Sequence, residues 1–118
     1  MSNDDPLPDE ALVVRCGEPP FAQNPLIGAC TEHEGVYGFS VQCAALVSFE
    51  QLASACRNNS VGRSSVGEIR QIGYDVVVTS GLGHHATVVV PIDWTAKAAD
   101  GLTNLFQAAK NPAPKRRS

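Results

Sequence analysis

The chain has no uninterrupted apolar run near the roughly 18 residues that a membrane-spanning helix requires. Its first ten residues, MSNDDPLPDE, are acidic where a secretory signal is basic and then apolar. These two absences argue against a membrane partner and against export by a signal sequence. We therefore expect a soluble protein of the cytoplasm.

Paired cysteine motifs are also missing. The four cysteines stand singly, and no C-x-x-C pair indicates a zinc site or a redox motif; they are Cys16, Cys30, Cys43 and Cys56. We expect mostly buried free thiols and no metal, and metal binding by these cysteines with His33 is the least favoured alternative. Export would allow two disulfides, whose pairing the sequence alone does not fix.

Basic residues are scarce in the body of the chain. Residues 11–109 hold five lysines and arginines against eight aspartates and glutamates. A nucleic-acid-binding surface needs positive charge to neutralise phosphates, so this balance argues against a nucleic-acid partner. The charge is uneven at the ends, because residues 1–10 are acidic and residues 110–118 are basic.

The apolar content is enough for one core. A chain of 118 residues with 43% hydrophobic composition fits one domain and is too small for two. We assign residues 1–10 to a flexible acidic lead, residues 11–109 to the domain and residues 110–118 to a disordered basic tail. The pattern predicts an α+β fold, with a small, mostly antiparallel sheet and two to three helices packed on it.

Short runs rich in valine predict the strands. The prolines between residues 18 and 35 predict a long loop, and Gly38 leaves room for a close approach of backbone or ligand. The last two runs flank the turn sequence SGLG and therefore predict a hairpin. The predicted strands cover residues 11–16, 36–43, 74–79 and 84–90.

Serine and glutamine or glutamate at capping-box spacing predict two helix starts, at Ser48 and at Ser65. Gly73 stands where the second of these helices would end in a left-handed residue. A third helix, capped by Asp93 or Thr95, is predicted from an apolar face. That face comprises Ala98, Leu102, Leu105, Phe106 and Ala109.

The strand HHATVVV carries the strongest candidate for a functional site. Side chains alternate along a strand, so His85 and Thr87 share one face, while His84 lies on the other. An imidazole and a hydroxyl together could bind phosphate or ribose hydroxyls, or position a proton donor. The alternative is that one histidine is hydrogen-bonded at the strand end or in the core and the other is exposed.

Two further positions could bind a ligand. Arg15 ends an aliphatic strand beside Gly17, where its planar guanidinium could hold a phosphate. The alternative is a structural ion pair with Glu18, Glu68 or Asp75, which has about equal weight. Ser40 places a hydroxyl on an otherwise apolar strand, and the favoured reading there is a bond to the backbone.

The succession of VVRCG, GFSVQ and HHATVVVP before a terminal helix resembles the ADP-ribosyltransferase-fold toxins, especially the small NAD-dependent toxins of bacterial type VI secretion. The resemblance implies NAD as cofactor, bound by Arg15, by Ser40 with Tyr37, and beside His84. It also implies delivery by a secretion system, a protein target, and an immunity or antitoxin protein as partner. The strand that should carry the family's glutamate has none, so His85 and Thr87, or else Glu68 or Asp93, would replace it.

The second half of the chain resembles another family. GEIRQIGYDVVVTSGLGHHATVVVP is similar to the HicA-type messenger-RNA-cleaving toxins, which implies that His84 or His85 acts as the catalytic histidine. The acidic body argues against this reading.

Three functions therefore stand as expectations: an NAD-dependent ADP-ribosyltransferase or NAD-binding domain, a non-catalytic protein-binding or adaptor module, and an RNA-cleaving toxin. The enzyme readings predict that Arg15 and His85 line one cleft. The binding-module reading predicts that they lie apart and that residues 18–35 expose an apolar patch.

Overall fold

The computed structural model describes residues 7–17, 19, 26–33, 35–45, 47–79 and 85–112. This part of the chain forms a single α+β domain, as predicted, with four helices and seven strands. The helices are α1 Leu26–Ala29, α2 Phe49–Ala53, α3 Val66–Gln71 and α4 Ala96–Thr103. The strands are β1 Leu12–Cys16, β2 Thr31–His33, β3 Val36–Cys43, β4 Ser60–Ser65, β5 Asp75–Val78, β6 His85–Val89 and β7 Gln107–Lys110.

All strand pairs form one antiparallel sheet, which is larger than the sequence predicts. Its order is β5-β6-β3-β1-β4-β7, and β2 adds a short hairpin to the start of β3. Gly38 sits where β3 is flanked by both β2 and β6. A side chain at this position would collide with the carbonyl oxygen of Val88 on β6, so the close approach expected at Gly38 is made by backbone.

Alternation along the strands divides the sheet into two faces. One of them, which we call the core face, carries the main hydrophobic core and is covered by the helices α1, α3 and α4. The aromatic side chains of Trp94 and Phe106 pack there against Phe39. Other members of this core include Val13, Val41, Ala86 and Val88.

The opposite face, which we call the Ser40 face, is only partly hydrophobic. Over β1 and β4 it is covered by α2, where Leu52 and Ala53 pack on Val14 and Val61. A disulfide between Cys16 and Cys56 joins β1 to the segment after α2. Over β3, β6 and β5 the Ser40 face carries mainly polar side chains instead.

The cysteine expectation was right for two residues and wrong for two. Cys30 and Cys43 are free thiols, and burial raises the pKa of Cys43 to about 12. Cys16 and Cys56 are bonded, because the sheet brings their Cα atoms to 5.3 Å although they are 40 residues apart in sequence. Sequence spacing carries no information about such a contact.

Hydrogen bonds at the helix ends follow the predicted capping residues. Ser48 and Gln51 form the reciprocal capping box of α2, and the Ser65 hydroxyl accepts from the Glu68 amide at the start of α3. Gly73 follows α3 with a φ of 96°, a left-handed conformation that glycine adopts without strain. Thr95, rather than Asp93, caps α4.

Several elements differ from prediction. The last helix ends at Thr103, and Gln107–Lys110 forms β7 because these residues pair with β4 at the edge of the sheet. The strand β4 itself is an addition to the prediction, as are α1 and β2 within the expected long loop. No helix in the described ranges is both long and apolar enough to cross a membrane.

The two predicted end segments are partly packed. In the lead, Leu7 is buried in the main core. The Asp9 carboxylate accepts a bond from Arg70, and the Asp9 carbonyl accepts from the Gly67 amide of α3. In the tail, Asn111 is buried and its amide nitrogen donates to three backbone carbonyls. Residues 1–6 and 113–118 lie outside the described part, as do the turn at residues 80–83 and His84.

Candidate functional site

The candidate site lies on the Ser40 face, where β6 is flanked by β3 and β5. The register pairs Ser40 with Thr87 and Gln42 with His85, so all four side chains extend from the same side of the sheet. Their neighbours Ala86 and Val88 belong to the core face and are fully buried. The predicted alternation, with His85 and Thr87 on one face, is therefore present.

Hydrogen bonds join three of these side chains and a fourth, Thr79, into a row of polar groups. The His85 ring lies between two hydroxyls: Nε2 is 3.0 Å from Ser40 Oγ and Nδ1 is 3.1 Å from Thr79 Oγ1. Thr79 Oγ1 is in turn 2.8 Å from Thr87 Oγ1. We call this set, Ser40, His85, Thr79 and Thr87, the hydroxyl–imidazole chain.

The hydroxyl–imidazole chain can run in either of two directions, because each hydroxyl can donate only one proton. If Ser40 donates to Nε2 of a neutral ring, Nδ1 carries the ring proton and donates to Thr79, which then donates to Thr87. If Nε2 carries the proton instead, every one of these bonds reverses. Only the first arrangement leaves the imidazole able to accept the Ser40 proton.

Exposure changes along the hydroxyl–imidazole chain. Thr87 and Thr79 are buried, at 2% and 4% exposure, His85 is half-buried and Ser40 is exposed. The buried Thr79 hydroxyl holds the Nδ1 side of the imidazole ring, because a buried hydroxyl without a hydrogen-bond partner costs free energy. The other ring nitrogen is directed at a hydroxyl that an incoming molecule can reach.

Arg15 also contacts Ser40, but from the core face. Its Nη1 donates to the Ser40 carbonyl oxygen at 2.8 Å, and its guanidinium lies 5.3 Å from the centre of the Phe39 ring. Burial lowers the pKa of Arg15, and the nearby Cys30 thiol partly offsets this effect. Ser40 is therefore held at its carbonyl by Arg15 and at its hydroxyl by His85.

A small cavity lies where β1 and β3 separate. The two strands pair at Val14 and Gln42, after which Arg15 bridges the gap to Ser40. The cavity has a volume of about 170 Å³, and Arg15, Ser40 and Gln42 contribute to its walls. Sites for drug-sized ligands have roughly 300–1,000 Å³, so this cavity accepts only a small group.

The remaining predicted site residues lie elsewhere. Tyr37 is half-buried against the main core, on the same side as Phe39. Glu68 accepts a hydrogen bond from Ser64 on β4, which is three strand spacings, roughly 14 Å, from β6. Arg15 and His85 extend from opposite faces, contrary to the expectation that they line one cleft.

Thr79 and Gln42 are the site residues that the sequence analysis did not identify. The predicted hairpin contained a signal for Thr79, because antiparallel pairing of residues 74–79 with residues 84–90 brings the end of one strand opposite the start of the other. Gln42 could be placed beside His85 only by knowing that β3 pairs with β6, and no local sequence pattern specifies that pairing.

Comparisons with protein families, with characterised proteins and with solved structures found no match to this chain. Among the described residues, no group of three histidine, cysteine, aspartate or glutamate side chains is placed to hold a metal ion. The site is therefore characterised by its own geometry, which centres on the hydroxyl of Ser40.

Proposed function

We propose that this protein is a hydrolase or acyltransferase that uses Ser40 as its nucleophile and His85 as its general base. The observation that carries the proposal is the position of the His85 ring between Ser40 Oγ, at 3.0 Å, and Thr79 Oγ1, at 3.1 Å. A nucleophile, a base within hydrogen-bond distance and a third group that orients the base are the parts that nucleophilic catalysis needs.

The proposed chemistry uses the arrangement in which Ser40 donates to His85 Nε2. Ser40 Oγ attacks the carbonyl carbon of an ester while its proton moves to His85 Nε2. The imidazolium then returns that proton to the departing alcohol, which leaves an acyl group on Ser40. Water repeats the same steps, releases the acid and restores the serine.

Thr79 supports this chemistry through His85. Its hydroxyl can accept from Nδ1–H, and in that tautomer Nε2 is able to take the serine proton. A hydroxyl stabilises the imidazolium less than a carboxylate does, so we expect slower turnover than in enzymes with an aspartate at this position. Arg15 positions the nucleophile by holding the Ser40 carbonyl.

The test is covalent labelling with a fluorophosphonate, which reacts with activated serines by losing fluoride. We expect one adduct, mapped to Ser40 by mass spectrometry, lost in Ser40→Ala and formed at least about tenfold more slowly in His85→Ala. Ser54→Ala is the matched control, because Ser54 is exposed but its hydroxyl donates to a backbone carbonyl. Labelling of Ser40 at the same rate in His85→Ala would refute the proposal.

The same variants separate this proposal from RNA cleavage. Cleavage of a fluorescent RNA that depends on His85 and not on Ser40 would favour the HicA-like alternative, since that reaction requires no serine nucleophile.

ADP-ribosyl transfer remains a proposal with weaker support, because Arg15 and His85 extend from opposite faces of the sheet and do not line one cleft. The contact between Arg15 and Ser40 joins the two positions that the family resemblance singles out. The described residues do not complete an NAD site, because Glu68 lies near β4 and the cavity beside Arg15 is small. A calorimetric titration of Arg15→Ala and of the unmodified chain with NAD tests this proposal.

The disulfide bears on the compartment in which the protein acts. Disulfides persist in oxidising compartments and are rare in the cytoplasm, so Cys16–Cys56 supports a place outside the cytoplasm, in contrast to the sequence expectation. Alkylation of the purified protein in denaturant, with and without prior reduction, tests whether the disulfide is present, since unfolding also exposes the buried Cys43 thiol. Without reduction, two of the four cysteines should be protected.

A further inference from the structure

An open groove lies at the β5 edge of the sheet, apart from the hydroxyl–imidazole chain. Its walls include Tyr74 and Asp75 at the start of β5, Val89 and Pro91 at the end of β6, and Arg70 of α3. We call it the β5 groove. Its volume is about 570 Å³, and Val89 lies about 13 Å along β6 from His85.

Two exposed aliphatic residues adjoin residues of the groove wall in sequence. Ile72 is 45% exposed beside Gly73, and Ile92 is 79% exposed directly after Pro91. Among the described residues, these are two of three large hydrophobic side chains exposed to solvent, and the third is Ile27, at 39%. Apolar side chains concentrated at the rim of a groove mark a contact surface for another molecule.

One wall of the β5 groove packs on the main core. Tyr74 contacts Trp94 edge to face, with ring centres 6.2 Å apart, and Trp94 stacks on Phe39 within the main core. Among the described residues, β5 is the outermost strand on this side of the sheet. A sheet edge next to an apolar groove favours a partner segment in extended conformation, since such a segment can run parallel to the strand.

The polar part of the rim is acidic. Arg70 is shared by two carboxylates, Asp9 at 2.7 Å and Asp75 at 2.9 Å, and the exposed Asp93 follows Ile92. Three carboxylates against one guanidinium give a formal charge of 1 − 3 = −2. A second copy of the chain would bring the same negative rim, and the repulsion argues against self-association through this groove.

We propose that the β5 groove binds an extended segment of a partner protein that combines aliphatic side chains with lysine or arginine. The aliphatic side chains lie between Ile72 and Ile92, and the cations face the carboxylates of Asp75 and Asp93. This surface is independent of the Ser40 chemistry, because a segment bound there leaves the Ser40 hydroxyl accessible.

The test uses a fluorescein-labelled peptide of alternating lysine and valine, with an alternating glutamate and valine peptide as the charge control. Fluorescence anisotropy should show saturable binding of the lysine peptide alone, weakened by about 0.5 M NaCl because the attraction is screened. Trp94, the single tryptophan of the chain, should report the same binding through its contact with Tyr74.

Matched isoleucine variants locate the site. Ile92→Ser should weaken binding by about tenfold or more, and Ile27→Ser, which changes an exposed isoleucine of α1, should leave it unchanged. Both side chains are exposed, so both variants should fold, which circular dichroism checks. No saturable binding of the lysine peptide, or equal affinities of Ile92→Ser and Ile27→Ser for it, would overturn the proposal.

Discussion

Asn111 anchors the strand β7 to the end of α2, and replacing it with aspartate should destabilise the fold strongly. The side chain is buried, and its Nδ2 donates to the carbonyl oxygens of Ala53, Cys56 and Asn58 at 3.0, 3.1 and 2.9 Å. Asn111→Asp preserves the shape of the side chain but replaces its donating Nδ2 group with an oxygen atom. The substitution therefore tests the hydrogen bonds rather than the packing.

The expected loss of unfolding free energy follows from these three contacts. Nδ2 carries two N–H groups, and the Ala53 carbonyl keeps the Cys56 amide as a donor, so about two hydrogen bonds are lost at roughly 1–3 kcal/mol each. The buried charge adds to that cost. Relaxation and water entry reduce the sum, so we expect a loss of about 3–5 kcal/mol at pH 7. That loss is large against the roughly 5–15 kcal/mol that stabilises a typical domain.

The loss should depend on pH with a defined sign. Burial against carbonyl oxygens raises the pKa of the introduced carboxyl in the folded state above its unfolded value of about 3.9. Below that unfolded value the group is neutral in both states, so the variant is least destabilised there. The destabilisation grows as the pH rises through the folded-state pKa.

Urea denaturation of the variant and the unmodified chain at pH 7 and about pH 4 measures both quantities. Asn58→Asp is the control, because it adds the same charge nearby at an exposed position and should cost under about 1 kcal/mol. A loss in Asn111→Asp that matches the Asn58→Asp loss, or that is greater at pH 4 than at pH 7, would refute this reasoning.

The other predictions concern the sheet and its thiols. Reducing the Cys16–Cys56 disulfide should lower the unfolding free energy by about 4 kcal/mol, measured in urea with and without dithiothreitol, because the bond closes a loop of 40 residues. Thr79→Val should slow fluorophosphonate labelling of Ser40 by about tenfold and destabilise the fold by about 1–3 kcal/mol, while Thr79→Ser retains the labelling rate, since only valine removes the hydroxyl that orients His85. Gly38→Ala should destabilise the fold or shift the pairing of β3 with β6, seen as lost hydrogen-exchange protection, because its methyl group would collide with a β6 carbonyl. Burial raises the pKa of Cys43 to about 12, so stability should fall as the pH rises above the unfolded thiol value of about 8.5, and Cys43→Ala should reduce that slope by up to about 1.4 kcal/mol per pH unit in alkaline urea titrations.

Local patterns in the sequence were sufficient for the elements that local interactions stabilise. The cap residue Ser48 and the left-handed Gly73 act within one helical turn, and both were predicted from their neighbours in sequence. Thr95 was one of two predicted alternatives for the cap of α4. The strands β5 and β6 are β-branched runs that pair with each other across a short connection. Their alternation also placed His85 and Thr87 on one face.

Elements that depend on distant partners could not be predicted in this way. Residues 107–110, QAAK, have helix-forming composition, yet they form a strand because β4 offers a free edge. β4 itself has a single buried aliphatic side chain, Val61, with Gly62 next to it, so its periodicity is weak. The arrangement of Arg15 and His85 around Ser40 depends on the order of three strands, which no local pattern contains.

The alternation of the two faces along β3 and β6 has a consequence for how new activities could arise. Ser40 and Thr87 are each flanked in sequence by residues of the main core, whose side chains extend from the opposite face, and the second hydrophobic cluster lies over β1 and β4. Ser40 is exposed and Gln42 and His85 are half-buried, so substitutions at these three positions alter the reactive surface while the packing that holds the domain together stays in place. Directed evolution limited to positions 40, 42 and 85 should yield folded variants far more often than a library of equal size that changes the buried residues 39, 41 and 86.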